Sequence, residues 1–402
     1  MLRSLFSGIT GLRQHQTLMD VVSNNISNVN TAGYKSSSVV FEDTLSQLVR
    51  PASSPGNGVG GVNPAQVGLG VQLGAISTNF AQGSAQNTGR ATDLMIQGDG
   101  FFVLQNGNTQ EYSRAGSFSF DTTGTLVNPE GFRVQGWMGT AGVVDTNGAP
   151  GDIVLPATTL IKPQPSANVV LAGNIQPTAA IDTLTLGQTV YDSGGVAHPL
   201  TITLTGDGTG NYTVDIVDGN DPTTASVPTQ GSVTFDATGA ITVNTPPSIV
   251  LPDGTTTVTI DMTTVTRYGG PKSLNVQSGD GYAAGSLQGF QIAGDGSVTG
   301  VFSNGQKLVL AKVALAGFNN PMGLEKVGNS AYRSTTNSGN AQINAPGSGG
   351  VGTLLGGAIE MSNVDLAQEF TNLIIAQRGF QANSRVITTS DQMLQDLVDI
   401  KR

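Results

Sequence analysis

The chain has 402 residues, 55 glycines, no cysteine and a net charge of −10, and only 11 % of its residues are charged. The missing cysteine excludes disulfides and thiolate metal sites, and an acidic chain with 18 Lys plus Arg offers no clustered basic surface for nucleic acid. No run of about 18 apolar residues occurs, so no membrane insertion by a helix is expected.

In chain order, apolar residues first recur at Leu2, Leu5, Ile9, Leu12, Met19, Val22 and Ile26. Spacings of three and four put them on one helical face. This predicts a helix over 2–29, ended by Asn28, Asn30, Thr31 and Gly33, which favour turns and left-handed backbone. Arg3, Leu5 and Phe6 are followed by Ser7, Gly8, Thr10 and Gly11, so the continuous apolar core of a secretory signal is missing. Residues 36–70 read as a linker arm: 50–70 carry Pro51, Pro55 and Pro64 among Gly, Ser and Asn, which predicts a loop or extended arm.

Strand patterns begin at Val71, and the low charge with abundant Gly, Thr, Val and Asn reads as all-β. Gly98-Asp99-Gly100 between two apolar runs in 94–104 predicts a hairpin. Phe120-Asp121-Thr122-Thr123-Gly124-Thr125-Leu126 shares its design with Phe235-Asp236-Ala237-Thr238-Gly239-Ala240-Ile241, and Asp295-Gly296 is a similar turn. These are hairpin punctuation: the carboxylate bonds backbone N–H and the glycine takes positive φ. Residues 151–285 hold 11 Asp against Lys162, Arg267 and Lys272, a composition that suits turns and solubility. Residues 146–284 are therefore expected to be an inserted outer β domain, with 71–145 and 285–362 completing a first β domain from two pieces.

A helical rhythm returns in Leu366, Phe370, Leu373, Phe380, Ile387, Leu394 and Val398, after Ser362, Asn363 and Asp365, which suit an N-cap. The terminal helical domain is thus 1–35 with 363–402. Its stripe (Leu5, Ile9, Leu12, Met19, Ile26, Phe370, Leu373, Ile387 and Leu394) needs cover, and no neighbouring sequence supplies it. The simplest partners are the other helix and copies from neighbouring subunits, so the helices are expected to pair as a coiled-coil core. Gln377, Ser384 and Asp391 recur every seven residues, which reads either as the weak edge of a partly exposed helix or as a seam kept polar at intervals. The fold class is mainly β: two nested β domains with amphipathic helices at both ends.

Catalytic readings find little support. His15 and His198 are the two histidines, and only Glu42, Glu111, Glu130 and Glu325 precede residue 360. No phosphate-cradling loop or serine elbow appears. No cofactor, no metal and no enzyme activity are expected.

Asn24-Asn25-Ile26-Ser27-Asn28-Val29-Asn30-Thr31-Ala32-Gly33-Tyr34-Lys35 with Phe41 resembles the N-terminal signature of bacterial flagellar rod and hook proteins. Glu360-Met361-Ser362-Asn363-Val364-Asp365-Leu366, then Gln377-Arg378-Gly379-Phe380-Gln381-Ala382-Asn383, resembles their C-terminal signature. Between them, Gly98-Asp99-Gly100-Phe101-Phe102 and Tyr112-Ser113-Arg114-Ala115-Gly116-Ser117-Phe118 keep the family order. Gly379 stands where such proteins commonly carry a small or aromatic residue. Length and the insertion point to the hook branch.

The resemblance implies an extracellular homopolymer, exported without a cleaved signal, forming a flexible curved tube. Such a tube transmits motor torque and encloses the export channel. It also implies the distal rod, hook cap, hook–filament junction proteins and the flagellar export apparatus as partners, and a subunit-packing role for the signature residues Asn24, Asn25, Asn28, Thr31, Gly33, Tyr34, Lys35, Ser362, Asn363, Val364, Asp365, Leu366, Gln377, Arg378, Phe380, Gln381 and Asn383. Two alternatives stand beside it: a rigid distal rod protein of the same family, and a secreted β-rich surface adhesin.

Overall fold

The computed structural model of the chain describes residues 2–56, 60–140, 142–156, 158–177, 181–220 and 231–400. It is mainly β, with one helix at each end: α1 (Leu2–Ser27) and α2 (Leu366–Asp399). The residues group into two compact units, Met1–Pro156 with Phe290–Thr299 and Leu308–Arg402, and Ala157–Gly289 with Gly300–Lys307.

In the first unit α1 gives way to a long antiparallel ribbon. Strands β1 (Ser37–Asp43) and β4 (Val71–Thr78) form its base, and β2 (Ser46–Arg50) and β3 (Ala65–Gly68) carry it outward. The loop or extended arm expected at 50–70 is the outer part of a β-ribbon, continued by a Ser53–Val62 bridge; residues 57–59 lie outside the described residues. Proline did not prevent this, because Pro51, Pro55 and Pro64 sit outside the two strand pairs.

The body of this unit is antiparallel, with Phe101–Asn106 paired to Thr109–Ser113 and Arg133–Thr140. Its core gathers Phe101, Val103, Tyr112, Trp137 and Tyr332, with Phe80 and Phe318 against them. Here the hairpin expected over 94–104 does not form. Leu94–Gln97 pairs instead with Thr353–Gly356, far along the chain. Gly98 and Gly100 both hold positive φ and redirect the strand, while the Asp99 carbonyl accepts from Gly352 N at 2.7 Å. The next pair, Ala85–Asn87 with Ala358–Glu360, leads directly to α2.

The second unit has a five-stranded antiparallel meander from Thr183–Tyr191 to Ile241–Thr245. A four-stranded sheet accompanies it, in which Asn168–Asn174 lies parallel to Thr257–Thr266. Alternation sets the faces: in Ala197–Gly206, His198, Leu200, Ile202 and Leu204 point inward, and Thr201 points out. One apolar core draws on both sheets, including Val169, Leu171, Ile202, Val214, Ile260 and Met262.

The repeated Asp-Gly segments are turns, as their composition predicts. Asp121 Oδ1 accepts from Thr123 N and Thr125 N at 2.8 Å each, and Asp236 Oδ1 from Thr238 N and Ala240 N at 2.8 and 2.9 Å. Gly124 and Gly239 adopt φ of 82° and 83°, the left-handed step that closes a three-residue hairpin loop. His198 is buried, with Nδ1 2.7 Å from Asp218 Oδ2.

Candidate assembly site at the helix junction

α1 and α2 run antiparallel, and small residues set their separation. A Cβ at Gly8 would touch Ile387 at 3.4 Å, one at Gly11 would press on the Asn383 side chain, and one at Gly379 would collide with the His15 imidazole. Glycine inside a helix costs about 1 kcal/mol against alanine, which close approach of the two backbones offsets here. Ala376 and Ser390 are buried along the same line, and so is Val22 on α1.

The seam is thus narrower than the expected stripe. Leu5, Leu12, Met19, Ile26, Leu373, Ile387 and Leu394 are half-buried, while Ile9, Phe370 and Phe380 are exposed. The polar seven-residue series lies along the edge of the contact, with Ser384 half-buried. Gln377 and Asp391 face solvent, and the residues on the seam are Ala376, Asn383 and Ser390, one position earlier. Glycine and alanine mark the closest approach of the two helices, and Ile387 of the stripe meets it at Gly8.

α2 leaves an apolar face bare: Phe370, Ile374 and Ile375 are 50 %, 53 % and 57 % exposed, and Leu366, Val386 and Met393 are exposed as well. On α1, Phe6 is exposed too. Isolated apolar residues are ordinary on a surface, but a row along one helix face marks an interaction site.

Below the seam the two signatures meet. Asn25, nearly fully buried, accepts from Ser37 N at 3.0 Å and from Tyr34 OH at 3.1 Å, and its Nδ2 donates to Ser37 O and to Glu369 Oε1. Asn363 Oδ1 accepts from Ser36 N at 2.8 Å, and its Nδ2 donates to Asn79 O and Ala81 O. The N-cap of α2 is Asp365, whose Oδ1 accepts from Ala367 N and Gln368 N, so Asn363 is a tie to the β body rather than a cap. Ser362 Oγ accepts from Val364 N at 3.4 Å, and Val364 is half-buried. Asn28 donates to Asn24 Oδ1 at 2.7 Å and accepts from Thr31 Oγ1, which shapes the turn after α1. Gly33 holds φ of 69°, and a Cβ there would run into the Arg114–Ala115 backbone. Its N donates to Glu360 O at 2.8 Å. Leu366, Gln377, Arg378 and Gln381 are exposed, beyond this network.

At the centre lies an ionic group that sequence reading missed. Lys35 Nζ lies 2.6 Å from Glu360 Oε1, and both side chains are 0 % exposed. Arg114 Nη1 stands 3.6 Å from Glu360 Oε2 and donates to Gly98 O at 2.9 Å. Lys35 Nζ also donates to Ala81 O, and Glu360 Oε1 accepts from Gly83 N. Burial pushes the Lys35 ammonium below the usual lysine range, against the pull of Glu360, and lowers Arg114 likewise. Lys326 donates to Lys35 O and Ser37 Oγ and lies over the Tyr34 ring. All three charged residues fall inside signature segments; a buried role for charge was the signal available. The arrangement fixes both chain ends to one point of the β body, with no nucleophile, base and open cleft brought together.

Four family descriptions match the chain in order: "Flagella basal body rod protein" at 5–35, "Flagellar hook protein FlgE/F/G D1 domain" at 95–196, "Flagellar basal body protein FlaE D2 domain" at 177–282, and "Flagellar basal body rod FlgEFG protein C-terminal" at 355–400. Among curated relatives, the flagellar hook protein FlgE of Treponema pallidum is 38 % identical and that of Borreliella burgdorferi 37 % identical, each over 100 % of both chains. The flagellar basal-body rod protein FlgG of Bacillus subtilis is 32 % identical, also over 100 % of both. Among solved structures, the Helicobacter pylori flagellar hook protein FlgE2 has the same fold with a TM-score of 0.53 at 14 % identity, over 67 % of this chain and 98 % of that one.

Proposed function

The chain belongs to the flagellar hook protein FlgE family and is a structural subunit of the hook, and from this premise we propose that its paired terminal helices are the polymerising element of a curved, flexible tube. The single observation that carries this reading is the bare apolar face of Phe370, Ile374 and Ile375 on a helix whose other side is already paired. A face of that kind finds cover in a second copy. A contact between unlike faces that does not close on itself builds an open helix, hence a tube.

On this reading the helices pair in coiled-coil fashion as the inner layer around the export channel, and the two β units, one inserted in the other, form the outer layers. The tube transmits motor torque. The family is structural, not enzymatic, and its place is the flagellum outside the cell; export without a cleaved signal, and contacts with the distal rod, hook cap, hook–filament junction proteins and export apparatus, follow from the family resemblance. The junction around Lys35 and Glu360 acts as the coupling through which load passes between helices and β body.

The experiment is assembly of purified full-length protein beside a chain trimmed to residues 28–365, followed by electron microscopy. Curved tubes from the full chain alone support the reading; tubes from both end it. The match to a rod protein FlgG supports a second reading, a rigid drive shaft, and straight cylinders in the same micrographs would favour it.

A further inference from the structure

The exposed apolar patch on α2 is bracketed by opposite charges. At its N-terminal edge, Glu369 Oε1 accepts from Asn25, but its Oε2 is buried without a partner. At its other edge, Arg378 stands three and four residues after Ile375 and Ile374, on the same side of the helix. One heptad further lies Arg385, also exposed.

The antiparallel register extends this across both helices. His15 is level with Gly379, and Asn25 with Glu369, so Arg13 falls beside the Arg378–Arg385 segment and Asp20 between it and Glu369. The helix pair therefore carries an acidic band (Asp20, Asp365, Glu369) and a basic band (Arg13, Arg378, Arg385) on one shaft, with exposed Asp391, Asp396 and Asp399 following the basic band on α2. Among the described residues, none of these three arginines makes an ion pair within its own chain, nor does Asp20. At 1.5 Å per residue the band centres lie about 18 Å apart along the axis.

We infer that the two bands set the axial offset between neighbouring copies: the basic band of one copy meets the acidic band of the next, and the bare Phe370–Ile375 faces are covered at that offset of about 18 Å. This rests on the assembly reading above and adds to it the register of the contact. Two copies side by side without offset would place like charge against like. Charges of this kind govern register and partner choice more than raw affinity, and they act over a Debye length of about 8 Å at physiological salt.

The test uses the full-length protein and its critical concentration for tube formation across a salt series. Arg378→Glu with Arg385→Glu raises that concentration by about tenfold or more, which corresponds to about 1.4 kcal/mol, and leaves the helix content of the monomer unchanged. Adding Asp20→Arg to the same chain recovers part of the loss. In images of wild-type tubes at side-chain detail, Arg378 or Arg385 of one copy lies in ion-pair range of Asp20 or Asp365 of a neighbour. Tubes from the arginine variant at the wild-type concentration and salt dependence would overturn the inference while leaving the tube itself intact. If the unaltered chain forms no tube, the assembly reading fails and takes this inference with it.

Discussion

The inserted β unit and the terminal helices solve the same problem in opposite ways. In the β unit, Leu200, Ile202 and Leu204 alternate with Thr201 and Thr203, and the apolar set closes into a core that needs nothing from outside. The helices bury Val22, Ala376 and Ser390 but leave Phe370, Ile374 and Ile375 in water. A part whose apolar residues close on one another is stable without a partner, while a bare apolar face is what a second copy would cover. The Lys35–Glu360 pair joins the incomplete region to the β body of its own unit.

The largest break in this contrast is expected at that joint. Lys35→Met leaves Glu360 buried with its main counter-charge gone, a change that costs about 3–5 kcal/mol. Denaturant melts of the monomer should show the first unit weakened and the second unit unmoved. Next, Leu204→Ala should lower the stability of the β unit by about 2–5 kcal/mol through cavity formation and leave tube assembly intact at temperatures where the unit is folded. Phe370→Ser with Ile374→Ser should show the converse. The monomer melt stays within about 0.5 kcal/mol, as surface changes do, and tubes vanish in sedimentation and microscopy.

The smallest effect concerns pH. Hydrogen bonds, first from the hydroxyls of Thr123, Thr209 and Thr238, hold Asp121, Asp207 and Asp236 below the usual carboxylate range. A folded value below the unfolded one gives stability that is complete above the unfolded value near 3.9 and is lost as pH falls through the folded one. Melting temperature should therefore decline gently below about pH 4, and Asp236→Asn should flatten part of that limb.

The elements that sequence made legible are those governed by local rules. Alternation marked the β units, three–four spacing marked both helices, and Asp with Gly marked the hairpin turns at 121–124 and 236–239. The failures come from partners distant in sequence. Leu94–Gln97 abandoned its neighbour for Thr353–Gly356, and the arm expected over 36–70 takes the form of a ribbon because 37–50 could pair with 65–78. The closest approach of the helices was hidden because Gly8, Gly11 and Gly379, with no large side chain, mark it. Of the assembly site, the signature asparagines and Lys35 were singled out, but a carboxylate at 360 meeting an ammonium at 35 and a guanidinium at 114 is invisible until the chain ends are brought together.

Hydrogen exchange on α1 and α2, compared between dilute monomer and assembled tubes, tests the account at its centre. The account predicts that exchange across 2–27 and 366–399 slows by orders of magnitude from monomer to tube, with the strands of 183–218 and 231–245 protected equally in both. Helices already as protected in the lone chain as in the tube, with no further slowing on assembly, would contradict it.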